Sequence, residues 1–143
     1  MRLHDEERGS TTLWTLGLAL TLLMVGGISI DLWSALGAHR DLAGIADAAA
    51  VAASWGLDVE VFRAEGRVTL DPALAEGLAL RLISVQPNGG DLDESPEVVV
   101  SADGLSVTVA LQRRVPLTLL GLLVEDRSIV VATQAQGDAS LRE

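Results

Sequence analysis

The spacing of apolar positions changes several times along the chain, and each change predicts a different element. Thr11 to Ile30 is a run of twenty residues without a charge. As a helix rising about 1.5 Å per residue, it spans the roughly 30 Å hydrocarbon core of a bilayer. Ser10 stands where an N-cap belongs. Trp14 and Trp33 fall near the two ends of the run, where indole rings favour the membrane–water boundary, and Gly26-Gly27 is a point where such a helix can bend. From Ala35 the apolar positions are Ala35, Ala38, Leu42, Ile45, Ala49 and Ala52, an alternation of three and four that makes a helical packing seam. Arg40, Asp41 and Asp47 fall off that seam, and Gly56 is a good stop. The pattern predicts one helix from about Ser10 to Trp55, roughly 65–70 Å long, half in lipid and half in water. Its mostly alanine seam lets a partner approach closely, either the chain's own sheet or a neighbouring subunit's helix.

Beyond Gly56 the segments shorten. Val59 to Val68 is expected to hold a short strand. Asp71-Pro72 opens a helix, with Asp as N-cap and Pro at the first helical position. It runs to about Val85 with Leu74, Leu78, Leu82 and Val85 on one face, and Gln86-Pro87-Asn88-Gly89-Gly90 ends it. Asp91 to Pro96 is an acidic loop. Glu97–Ser101 and Leu105–Arg113 flank Ala102-Asp103-Gly104, a hairpin signal. In the second of these strands Leu105, Val107, Val109 and Leu111 share one face. Pro116 breaks the pattern, Leu117 to Val124 reads as a helical turn, Ser128 to Gln136 as a last strand, and Gly137 to Glu143 as a frayed tail. The fold class is α+β: a long N-terminal transmembrane and extended helix, then a small antiparallel sheet of about three strands with one or two short helices. The expected divisions are a leader (1–10), a transmembrane helix (11–33), its exported continuation (34–56), an α+β domain (57–137) and a tail (138–143).

Composition narrows the function. Of 143 residues 49% are apolar but only 3% aromatic, so the core must be built from Val, Leu, Ile and Ala. A net charge of −10 argues against nucleic acid, because phosphate binding needs clustered Lys and Arg. The chain has no cysteine, which removes disulfides and thiolate chemistry. The apolar run is longer than a signal-peptide centre, although Ser34 to Ala38 offers small residues at its exit. Retention as an anchor is the expectation. Arg2 and Arg8 precede the span and Arg40 follows it closely, which favours a cytoplasmic N-terminus and an extracytoplasmic C-terminal domain in the cell membrane.

Few residues suggest chemistry. Asp31 is the carboxylate at the bilayer edge, a candidate for an ion pair with a neighbouring subunit or simply an interfacial end to the span. Gly17 and Thr21 form a weak small-xxx-small pair. Asp91, Asp93 and Glu94 lack the spacing of a calcium loop and read as solvated. His4 and His39 have no partner set for a metal, and Ser10, Ser54 and Ser101 have no identifiable base. The reading is non-enzymatic, with no catalytic or metal residue, no cofactor and no small-molecule substrate. The lipid bilayer is the first partner.

Glu7-Arg8-Gly9-Ser10 before the span, Asp31 at its exit, His39-Arg40-Asp41-Leu42 and the run Ala46-Asp47-Ala48-Ala49-Ala50-Val51-Ala52-Ala53 resemble the N-terminal segment of TadE/TadG-like proteins of Flp (tight adherence) pilus systems. Val107 to Gln112, Val115-Pro116-Leu117, Leu120-Gly121-Leu122 and Ile129 to Thr133 are loosely similar to that group's C-terminal half. The resemblance implies a non-enzymatic, pilin-like minor component of pilus assembly or a related secretion system. Its expected partners are other pilin-like proteins or the Tad membrane platform. It also makes Gly9-Ser10 the candidate processing site. Trp14 stands where processed pilins of this class carry Glu, and TadG-like members are generally taken to be unprocessed. The alternative is a membrane-tethered cell-envelope binding or adaptor module outside a pilus.

Overall fold

The structure, a computed structural model, describes residues 6–122 and 127–139. Helix α1 (Glu6–Ala53) runs without interruption for 48 residues, about 72 Å. It begins earlier than expected, so Ser10 lies inside the helix and not at its start; Glu and Arg at positions 6–8 are good helix formers and carry it further back. Residues 1–5 of the expected leader lie outside the described residues. Between residues 11 and 26 every position of α1 is exposed. The hydroxyls of Thr21 and Ser29 donate to the carbonyls of Gly17 and Val25, one turn back, and that of Thr15 donates to Thr12. The polar side chains of the apolar half are thus satisfied within the helix.

The second half of α1 carries the core. Leu42, Ile45, Ala46, Ala49, Ala50 and Ala53 are buried there. This stripe is wider than the three-four seam. Ala46, Ala50 and Ala53 join it, while Ala35, Ala38 and Ala52 are half-buried at its margins. A globular core wants about a third of the helix surface, against the narrower line of a coiled coil.

After the turn at Trp55-Gly56, Val59 to Glu65 forms a short helix, α2, where a strand was expected. Its caps decide the matter. The Asp58 carboxylate accepts from the N–H groups of Glu60 and Val61, and Gly66 closes the other end at φ 66°. Helix α3 (Pro72–Val85) starts as expected, with the Asp71 carboxylate accepting from the Ala73 and Leu74 N–H groups. Its inner face is Ala75, Ala79 and Ile83, whereas Leu74 and Val85 are exposed. Small side chains take the inner face because α3 packs hard against the end of α1: a Cβ on Gly56 would meet the Ala75 backbone N at 2.7 Å.

Three antiparallel strands complete the fold in the order β1 (Glu97–Val100), β2 (Ser106–Pro116), β3 (Ser128–Asp138). The β1–β2 hairpin turns through Gly104 at φ 69°. Ser101 and the Leu105 N–H both donate to the Asp103 carboxylate and hold its pKa below the usual range. Leu105, expected on the inner face, is exposed just outside the strand. β3 continues to Asp138, so Gly137 belongs to the sheet and not to a tail; residues 140–143 lie outside the described residues.

Register explains how helix and sheet fit. The buried row of β2 holds Val107, Val109 and Leu111, paired with Gly137, Ala135 and Thr133 of β3. Bulk on β2 faces small residues on β3, and α1 lies in the space this leaves. At Gly137 contact is closest: a Cβ there would stand 2.4 Å from the Ala50 carbonyl oxygen. Ala49→Leu should lower stability by about 1–3 kcal/mol through overpacking, and Gly137→Val should do at least as much. Denaturant unfolding in detergent micelles checks both; wild-type midpoints would refute the tight helix–sheet contact.

Candidate functional site: the Asp31 junction

Asp31 lies one turn beyond Gly27 on the same face of α1, and only 2% of it is accessible. Four donors from the β2–β3 connection reach its carboxylate. The Thr118 N–H (2.9 Å) and the Thr118 hydroxyl donate to Oδ1; the Leu119 N–H (3.0 Å) and the Leu120 N–H (2.7 Å) donate to Oδ2. Leu120 begins a single 3-10 turn, Leu120–Leu122. An anion set before successive N–H groups that open a helical turn is well placed electrostatically. Asp31 thus serves as an N-cap supplied from a different element, 87 residues away in sequence. Gly27 makes room for Leu119 beside it. A Cβ at Gly27 would lie 2.7 Å from the Leu119 Cδ1, so the leucine rests directly on helix backbone.

Helix and strand lengths bring these groups together. From Asp31 to Ala50, α1 climbs about 28 Å. From Ser128 to Gly137, β3 climbs about 30 Å. With Gly137 fixed against Ala50, the lower end of the sheet arrives at Asp31.

Above the junction, Trp33, Gly37 and Asp41 of α1 face Arg113, Arg114 and Pro116 of β2 across an open cleft of about 530 Å³. Arg113 occupies the inward row of β2. One of its terminal nitrogens donates to the Asn88 carbonyl at 2.7 Å, while its buried Nε has no partner among the described residues. Arg114 pairs loosely with Asp93 at 3.8 Å. Among the described residues no three His, Cys, Asp or Glu side chains group as a metal site.

The sequence marked Asp31 for an ion pair with a neighbouring subunit; both its oxygens are taken up by donors of its own chain. Leu42, Ile45 and Ala49 pack against the chain's own sheet and α3, with Ala38 and Ala52 at the edge and Ala35 above the junction. Gly9 and Ser10 lie in the first turns of α1. Sequence reasoning missed Thr118 and read Gly27 only as a point of bending in a helix that runs on through it. The Gly27–Asp31 spacing of four was the available signal.

Residues 9–56 match the family model Tad, described as "Putative Flp pilus-assembly TadE/G-like". The match covers the length of α1 that contains both the exposed apolar half and the buried alanine stripe, and ends at the Gly56 turn. Over that segment the chain is similar to the TadE/G-like family. The family is one of Flp pilus assembly and is not known for enzymes. The remaining two-thirds of the chain, including Thr118, lies outside the match. Comparison with curated proteins and with solved structures gives no match.

Removing the cap should be costly. Asp31→Ala leaves three N–H groups and a hydroxyl without their acceptor and should destabilise the sheet domain by at least about 2 kcal/mol. Asp31→Asn keeps one acceptor oxygen and should fall between. Thermal unfolding of the three proteins in detergent gives the ranking; an Asp31→Ala protein as stable as wild type would remove Asp31 from its structural role.

Proposed function

We propose that this chain is a membrane-anchored, pilin-like component of Flp-type pilus assembly or a related secretion system, with a structural and non-enzymatic role. One observation carries the reading: a single TadE/G-like helix is bare and apolar over residues 11–26 and welded to a small sheet domain beyond them. A bare apolar half inserts among lipids or other helices, and the folded half is held against that surface. The N-terminus is cytoplasmic and the domain extracytoplasmic, as the arginine distribution favours. The divisions follow: leader 1–10, span 11–33, exported helix 34–56, domain 57–137.

The alanine stripe is spent on the chain's own sheet, so contacts with other pilin-like or Tad membrane-platform proteins fall to the exposed apolar surface of residues 11–26, to the outer face of α1, which includes Leu36 and Val51, and to Trp55 in the turn after it. The Gly9–Ser10 bond stays uncut, in line with Trp14 at the position where processed pilins carry Glu. Deleting the chain in its host should strongly reduce surface pili, with recovery on complementation, and the mass of the membrane-purified protein should include the residues before Ser10. Normal piliation without it would favour the envelope-adaptor reading. A chain starting at Ser10 would make it a processed pilin.

A further inference from the structure

The stretch of α1 exposed on every side, residues 11–26, rises about 24 Å, one turn less than the roughly 30 Å hydrocarbon core. The missing turn, Gly27–Ile30, has Leu119 lying on one side of it. A bilayer that takes up the uncharged run to Ile30 therefore also meets the segment after β2. That segment is suited to it in two respects. Three of its four side chains are apolar, and the hydroxyl of the fourth, Thr118, is taken up by Asp31: Leu117 and Leu120 are half-buried, Leu119 is 41% exposed, and Ile28, next to Gly27 on α1, is exposed as well. Its backbone donors are all occupied. Pro116 has none, the Leu117 N–H donates to the Arg127 carbonyl at 2.8 Å, and the next three donate to Asp31. An unpaired backbone donor is costly away from water, and this segment turns none toward lipid.

We propose that Leu117–Leu120 is a lipid-seated shelf, entering the acyl–headgroup boundary of the leaflet beside the domain and fixing the domain's height and rotation on the membrane. The proposal rests on α1 spanning the bilayer. Lipid is the partner because Leu119 lies against Gly27 beside the exposed Ile28 and so adjoins the apolar surface of α1, and a surface buried about 5–10 Å deep is typical of interfacial anchors.

The natural absence of cysteine allows single reporters. Nitroxide labels at Leu119→Cys, Val25→Cys and Gln134→Cys, in phosphatidylcholine–phosphatidylglycerol vesicles, are compared for collision with oxygen and with a water-soluble nickel chelate. Val25 lies in the bare half of α1 and Gln134 on the exposed face of β3. The expected result is a severalfold loss of nickel collisions at 119 relative to 134, a gain in oxygen collisions, and a depth shallower than at 25. Nickel access at 119 equal to that at 134, with 25 immersed, overturns the shelf. Shielding of 119 from both reagents means a protein contact and overturns lipid as the partner. A wet label at 25 sinks the spanning helix, and the shelf with it. Unlabelled protein provides a second readout: doxyl lipids should broaden the Leu119 amide signal and leave that of Gln134 sharp.

Discussion

A carboxylate at the edge of an apolar span is expensive unless its charge is met by donors, and everything below the sheet depends on how Asp31 is met. Three backbone N–H groups and one hydroxyl converge on it, and the same contacts satisfy the backbone donors of the segment after β2 at the end of the apolar run. Each side removes the other's desolvation penalty. The exchange fixes the far end of the sheet to the helix, so α1, β2 and β3 are joined at both ends: by the Asp31 cradle below and by the Gly137–Ala50 approach above.

Between those two points the core follows from volume. Aromatic residues are scarce, and bulk is supplied by Val and Leu on β2, by Leu42 and Ile45 on α1 and by Ile83 on α3. Alanine and glycine on α1, α3 and β3 let the backbones close in around them. Close-packed interiors tolerate little change in volume, which is why the alanine run of α1 reads as a packing surface and not as generic helix filler. Its burial inside the chain also means that, of the segment matched by the TadE/G-like model, the exposed apolar half and the outer face are what the sheet leaves uncovered.

Elements specified by local signals were legible in the sequence. The uncharged run, the Asp71-Pro72 start of α3, the Ala102-Asp103-Gly104 turn and the alternation of β2 all rest on contacts a few residues apart. Val59-Glu60-Val61-Phe62 misled because its β-branched residues alternate like a strand; Asp58 and Gly66, at the two ends of the seven-residue segment, hold it as a helix. On α3 the leucines drew attention, yet the inner face went to Ala75, Ala79 and Ile83, since closeness of approach outweighed apolar area there. The Thr118–Asp31 contact had no local signature at all. It arises from the match between helix rise and strand rise over about 30 Å, which becomes visible only once both elements are placed.

Amide hydrogen exchange resolved at Thr118, Leu119 and Leu120, with the protein in lipid nanodiscs, tests most directly whether Asp31 joins the membrane helix to the sheet. Protection at these three amides comparable to that of Val109 in β2 is predicted. Exchange at the rate of an unstructured connection, with Val109 still protected, would mean that Asp31 does not hold the segment and that the sheet is fixed to α1 through its upper end alone.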